Sequence, residues 1–254
     1  YYSDGIAEAC LALTERFTRM PEQKIPNGVN LLGLTPLDFG SSAASDLKAA
    51  LVQNGLELVS SFCDGLTMEA AQHAAQASLN LVVSQSGLQP ARSMEQRFGI
   101  PYLVQIPIGR KAQENWLEAV HNCLNEQKSL VPCAAGGETD ILVLGDEILC
   151  RSVQLGLEAD FGLTADCGCL FGTESKLPET NILNLEDEQK IEEAINCGKY
   201  RRIIGDPMLR MLIHPETEVD FFDLPSYCIS SKMSGMPPVS CIGERFNAFL
   251  AEIR

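Results

Sequence analysis

The 254-residue chain is 45% hydrophobic and 21% charged, a globular balance that argues against disorder and allows one large domain or two small ones. Its 34 Asp and Glu against 19 Lys and Arg give a formal charge of −15, which disfavours nucleic acid and anionic membrane as partners, since both require clustered positive charge. There is no apolar run of roughly 18 residues and no basic segment leading into an apolar one at the N-terminus, so neither a membrane span nor a secretory leader is expected, and a cytoplasmic placement is the expectation.

The chain begins at Tyr1 and reads as a fragment or processed form. Residues 4–19 predict a helix with Ile6, Ala9, Cys10, Leu13 and Phe17 on its apolar face. A loop leads to an apolar strand at 29–33. A helix starting at Ser45-Asp46 stops at Asn54-Gly55, a strong C-terminal signal. Residues 56–60 form a second strand, and Thr67 is the natural N-cap of a short helix reaching Ala77. A third strand at 79–83, a helix at 87–98 and a fourth strand at 102–106 follow. A helix at 116–125 leads into a linker at 126–138, with Pro132 and Gly136-Gly137.

The second cycle starts with a strand at 140–145. A helix at 146–155 is ended by Gly156, and residues 158–163 read as a strand. Next come an acidic helix at 186–196 ended by Gly198, a strand at 202–205, a helix at 207–213 and a strand at 219–223. Residues 239–253 form the last helix. Apolar strands without alternation, separated by helices at short spacing, predict parallel sheets covered by helices. The fold class is therefore α/β: two Rossmann-like, doubly wound parallel-sheet domains with a C-terminal helix. Their expected extents are 1–125, with an N-terminal linking helix, and 126–254.

In such sheets ligands bind beyond the strand carboxyl ends. Three strands end in glycine there: Gly33, Gly145 and Gly205. The sequence has no GxGxxG, no GxxxxGK[ST] and no GxSxG, so a standard phosphate loop or hydrolase elbow is not expected. Asp146 and Asp206 follow two of those glycines at the crevice rim, where a helix N-cap is a sufficient role. His73 and His121 fall within helix patterns. His214 stands at a helix end, where the dipole accounts for it.

The ten cysteines (10, 63, 123, 133, 150, 167, 169, 197, 228 and 241) show no CxxC and no zinc-type spacing. As small hydrophobes in a reducing compartment they need no further role; the alternative is that a few hold an iron–sulfur cluster. Cys167-Gly168-Cys169 is the one close pair, on an expected loop after a strand, where its thiols would be accessible. Cys63, at the end of the second strand beside Asp64-Gly65, faces the expected crevice.

Several runs resemble the component 1 proteins of nitrogenase. They are Val29-Asn30-Leu31-Leu32-Gly33, Asp46-Leu47-Lys48, Asn54-Gly55-Leu56-Glu57 and Asp64-Gly65. The most specific part runs from Leu79-Asn80-Leu81-Val82 to Met94-Glu95-Gln96-Arg97-Phe98-Gly99-Ile100-Pro101-Tyr102. The opening Ser3-Asp4-Gly5 helix and the segment from Pro238-Val239 into the last helix are similar to family segments as well. The resemblance implies a subunit of three Rossmann-like domains, of which this chain holds the second and third. The bridging-cluster cysteines would lie in the first. It also implies a homologous component 1-type partner subunit, an ATP-dependent iron–sulfur reductase as electron donor, and an iron–sulfur or metal–sulfur cluster in the full assembly.

The departures from the family pattern are specific. Where catalytic family members carry a cofactor-ligating cysteine just after the LNLV strand, Ser84 stands here, and a hydroxyl is a poor ligand for a metal–sulfur cluster. No histidine stands near Asp223-Leu224-Pro225, and the family's GG-x-R arginine is replaced by Gly145-Asp146-Glu147, which would repel an anionic cofactor. The resemblance thus points to a non-catalytic subunit or divergent paralogue, inactive as a fragment. Its candidate cofactor-contacting residues are Gly33, Asp64, Ser84, Gln85, Gly145 and Asp146. Its candidate metal ligands are Cys167 and Cys169, and no catalytic residue is assigned. A metal-cofactor assembly scaffold and a non-redox module binding a small molecule between two lobes are the alternatives.

Overall fold

A computed structural model of the chain describes residues 1–173, 177–178, 181–230 and 240–253. The chain divides into two compact units. The first comprises Tyr1–Pro36, Ser41–Ile106 and Glu114–Pro132; the second comprises Leu37–Gly40, Pro107–Gln113 and Cys133–Arg254.

In chain order the elements are α1 (Tyr2–Phe17), β1 (Gly28–Leu32), α2 (Ser41–Gln53), β2 (Glu57–Ser61), α3 (Met68–His73), β3 (Leu79–Val82), α4 (Leu88–Phe98), β4 (Tyr102–Val104) and α5 (Arg110–Glu126). They continue with β5 (Ile141–Gly145), α6 (Glu147–Phe161), β6 (Asp166–Cys169), β7 (Ile182–Asn184), α7 (Glu188–Asn196), β8 (Arg202–Gly205), β9 (Asp220–Asp223), α8 (Tyr227–Ser230) and α9 (Asn247–Glu252). None of the helices is long and apolar enough to cross a membrane, among the described residues.

The first sheet has strand order β2-β1-β3-β4 and the second β7-β6-β5-β8-β9, and every pairing is parallel. Each sheet grows outward from its first strand in one direction and then restarts on the other side. With right-handed crossovers, that reversal puts successive helices on opposite faces. The doubly wound α/β reading therefore holds for both sheets. The central strands β1, β3, β5 and β6 are buried throughout, which explains the unalternating, mostly apolar sequences of the first three, whereas the outer β7 and β9 are half exposed.

Leu31, Leu32, Leu47, Leu51, Leu79, Leu81, Leu88, Met94 and Trp116 form the interior of the first unit. Leu142, Leu144, Ile195, Tyr200 and Ile203 anchor that of the second. Each fully buried aliphatic side chain contributes about 2 kcal/mol. A polar set sits within the first core. The Asn30 Nδ2 donates to Asn80 Oδ1 at 2.8 Å and to the Ala74 carbonyl at 2.9 Å, while Ser60 Oγ donates to Asn30 Oδ1 at 2.6 Å. These three side chains sit side by side across β2, β1 and β3, since Asn30 is in register with both Ser60 and Asn80.

Several local expectations are corrected. The buried stripe of α1 is Ser3, Ala7, Cys10 and Thr14, with Ala9 exposed and Ile6, Leu13 and Phe17 only partly covered. Small residues let α1 approach α4, whose Arg97 reaches the Thr14 carbonyl at 2.9 Å. Helix α5 starts six residues before the expected Trp116. Its first amides are capped from afar: Asn247 Oδ1 accepts from Arg110 N, and the Asp160 carboxylate accepts from Lys111 N and Ala112 N.

Gly156 does not end α6, which runs to Phe161 and is closed by Gly162 at φ +66°. The expected strand at 158–163 is this helix's last turn. Gly156 faces the Ile108 carbonyl, where a Cβ would fall 2.6 Å from the oxygen, so the glycine serves packing rather than termination. Residues 167–169 lie in β6, not on a loop. The helix expected at 239–253 is a 3-10 turn at Glu244–Phe246 followed by α9, and Pro238-Val239 lies outside the described residues. Beyond the 3-10 turn Pro207–Leu212, His214 pairs with Glu192 through Nε2 at 2.6 Å instead of completing a helix dipole.

Candidate functional site

Each sheet has one switch point at its carboxyl edge, between β1 and β3 in the first unit and between β5 and β8 in the second. The structure brings Gly33, Ser84 and Gln85 together at the first of these. Gly33 takes φ +85°, and a Cβ there would fall 2.5 Å from Ser84 Oγ and 2.9 Å from the Gly87 amide nitrogen. Opposite it, a Cβ on Gly87 would fall 2.4 Å from the Leu32 carbonyl oxygen. The two loops therefore close on each other with no room for side chains, which only glycine permits.

The buried Ser84 hydroxyl donates to the Gly33 carbonyl at 2.7 Å and shares a 2.8 Å hydrogen bond with Ser86 Oγ. It is consumed by the loop junction. The Gln85 side chain keeps a buried Oε1 without a hydrogen-bond partner. Asp64 lies on the loop after β2, ion-paired with Lys48. The first mouth is thus lined by hydroxyl, amide and backbone groups, with its carboxylate held to one side.

The second switch point is acidic. Asp146 caps α6, its Oδ1 accepting from Ile148 N at 2.9 Å and Leu149 N at 3.4 Å. Asp206 caps the turn after β8, accepting from Met208 N at 2.9 Å through Oδ1 and from Ser226 N at 2.7 Å through Oδ2. The N-cap reading of both residues holds. Gly145 differs from Gly33: a Cβ there would meet only ordinary contacts, 3.5 Å from Leu149 and 3.6 Å from Cys150.

Burial first, then the Asp38 carboxylate, and in smaller part Glu147, push the Asp146 carboxyl up to about 7 against the pull of two backbone amides. A carboxyl with that value can take or give a proton near neutrality. Asp38 carried no sequence signal, because only the fold brings it toward Asp146. Behind the cap, Arg151 Nε and Nη2 reach Glu147 Oε1 at 2.9 and 2.8 Å and Nη2 also donates to the Pro178 carbonyl, while its Nη1 is buried without a hydrogen-bond partner. Glu147, Arg151, Asp166, Asn184 and Lys199 help to line a cavity of about 490 Å³ in this unit.

Cys167 and Cys169 are fully buried in β6, so the expected thiol accessibility is corrected. Desolvation raises both thiols, and that of neighbouring Cys150, above the ordinary value, which keeps them protonated and unreactive. Among the described residues, no three His, Cys, Asp or Glu side chains gather as a metal site.

The donor set does not suit a metal–sulfur cofactor in the manner of a thiolate- and imidazole-ligated one. The position after β3 offers a hydroxyl already engaged by the Gly33 carbonyl, and the second switch point offers carboxylates in place of a guanidinium.

Comparison with known proteins accords with this architecture. A family model described as nitrogenase component 1 type oxidoreductase matches residues 1–135, more than half of the chain. A light-independent protochlorophyllide reductase subunit of Nostoc punctiforme (strain ATCC 29133 / PCC 73102) is 26% identical over 149 residues, covering 58% of this chain and 27% of that protein. The matched stretch thus spans about a quarter of that relative's length. A nitrogenase Cp1 structure at pH 6.5 superposes with TM-score 0.63 at 11% identity, covering 98% of this chain and 65% of its own. Another at pH 5 gives TM-score 0.61 at 17% identity, covering 98% and 60%. These two likenesses establish a shared fold. The chain belongs to the nitrogenase component 1-type oxidoreductase family.

Proposed function

We propose that the chain is part of a component 1-like oxidoreductase subunit in a non-catalytic position. It takes part in electron transfer from an ATP-dependent iron–sulfur reductase to a cluster or cofactor held by a homologous partner subunit. The observation that carries this reading is Ser84. It stands where the resemblance expects a cofactor thiolate, and its hydroxyl is buried and committed to Gly33 and Ser86. A subunit that presents no cofactor ligand there still serves as the structural half of a pair, which is the role the family membership supports.

The test is iron and acid-labile sulfide per subunit in the full-length gene product, purified without oxygen together with its partner. Iron in the pair, unchanged by Ser84→Ala or by replacing Cys167 and Cys169 with Ser, supports the reading. A pair without iron refutes it. Iron lost with Ser84→Ala would make Ser84 a cofactor contact and the subunit a catalytic one.

A further inference from the structure

We propose that Cys10 and Cys63 form a redox-active thiol pair, a modification site that small-molecule disulfides oxidise to an intramolecular disulfide tying α1 to the turn after β2. This stands on observations independent of the proposed electron-transfer role. The two Sγ atoms lie 3.3 Å apart, although the residues are 53 positions apart in the chain. Closing that gap to the ~2.05 Å of a disulfide requires a shift of little more than an ångström.

The two positions differ as a reactive pair should. Cys10 lies on the buried stripe of α1, 5% exposed, while Cys63 is partly exposed and open to a reagent. Cys63 also holds a backbone φ of +75°, a conformation that L-residues other than Asn and Asp seldom take and that persists where surroundings impose it. The imposition is visible on both sides. Phe62, fully buried, donates its amide to the Leu31 carbonyl at 2.8 Å, and Asp64 is ion-paired with Lys48. The turn is held in the shape that aims Cys63 at Cys10. The contrast with the remaining buried cysteines supports the pair. Burial pushes Cys123 and Cys241 up to about 11, whereas the hydrogen bond with Cys63 holds Cys10 below its ordinary value despite burial.

The step balances as thiol–disulfide exchange. Cys63, as thiolate, attacks one sulfur of the reagent disulfide. The reagent S–S bond breaks, and one reagent thiolate leaves and takes up the proton that Cys63 lost. Cys10, as thiolate, then attacks Cys63 Sγ. The mixed disulfide breaks, and the second reagent thiol leaves with the proton from Cys10. Two protein thiols are oxidised by two electrons, and one reagent disulfide is reduced to two thiols. Because α1 packs against α3, α4 and the 3-10 turn Gln85–Gly87, the bond would fix the helix beside the first switch point.

The chain, equilibrated anaerobically with glutathione and glutathione disulfide, alkylated and mapped by mass spectrometry, tests this. The expected result is a Cys10–Cys63 cross-linked peptide that persists at about tenfold excess of glutathione, where mixed disulfides on the exposed Cys133 and Cys197 are lost, because the second thiol acts at high effective concentration. The melting temperature should rise with the cross-link and return with dithiothreitol. In Cys10→Ser, Cys63 should instead stop at the glutathione adduct. If wild-type Cys63 carries stable glutathione while Cys10 remains alkylatable, or if both stay reduced under oxidising ratios, the proposal is overturned.

Discussion

Both sheets wind outward from their first strand and restart on its other side, with four strands in one and five in the other, but they guard their switch points by different physics. In the first unit the mouth is sealed by shape: Gly33 and Gly87 let two loops touch backbone to backbone, and Ser84 bonds them together. In the second unit the mouth is held by charge. Two carboxylates cap the elements that follow the strands, and burial together with the Asp38 carboxylate pushes Asp146 up to about 7. The same sequence cue, a strand ending in glycine, serves both, so the cue reports strand position and not mechanism.

Substituting glycines is the sharpest way to break that contrast. Gly87→Ala forces a Cβ onto the Leu32 carbonyl and should cost about 3 kcal/mol or more in denaturant unfolding. Gly145→Ala should cost under about 1 kcal/mol, since its contacts are ordinary. Equal effects would show that the two mouths are sealed alike.

The charged mouth should respond to pH. The folded Asp146 carboxyl, pushed up to about 7, keeps a proton that the unfolded chain, at 3.8, has already lost between those values. The native state binds more protons there, so this group's contribution falls as pH rises from about 4 through 7. Asp146→Asn keeps the N-cap and should raise stability at pH above 7 by on the order of 3 kcal/mol, with little change below about pH 4. Melting temperatures across that range measure it, and an unchanged slope would show that Asp146 is ionised in the fold.

Asn30→Ala should cost about 2 kcal/mol, because it leaves the buried Ser60 hydroxyl and Asn80 Oδ1 without their partner. The smallest effect belongs to the partly exposed Lys48–Asp64 pair. Lys48→Met should move stability by less than about 1 kcal/mol and less still in high salt.

The parallel sheets were legible from the mostly apolar strands β1, β3, β5 and β8, whereas the inner strand β6, Asp166-Cys167-Gly168-Cys169, offers no such run and reads as a loop; Thr67, Asp146 and Asp206 marked helix starts by local chemistry. Signals made by distant groups were not legible. The start of α5 depends on Asp160 and Asn247, both far along the chain. Gly156 has the sequence appearance of a stop, yet its cause is the Ile108 carbonyl. The short outer β7, with mixed polarity, gave no pattern to read. At the site, Ser84 and Asp146 could be placed by position, but the loop contact that occupies Ser84 and the Asp38 charge that raises Asp146 exist only once the chain is folded.

The Asn30, Asn80 and Ser60 set acts as a proofreader of assembly. Strands β2 and β3 reach the two sides of β1 through separate crossovers, and apolar contacts alone would tolerate a shifted partner nearly as well as the right one. A slip of one residue would swing Asn30 to the opposite face and abandon its donors and acceptors in hydrocarbon, a penalty of several kcal/mol. Misaligned sheets should therefore be short-lived during folding, and removing the set should yield a chain that collapses readily but settles slowly into one alignment.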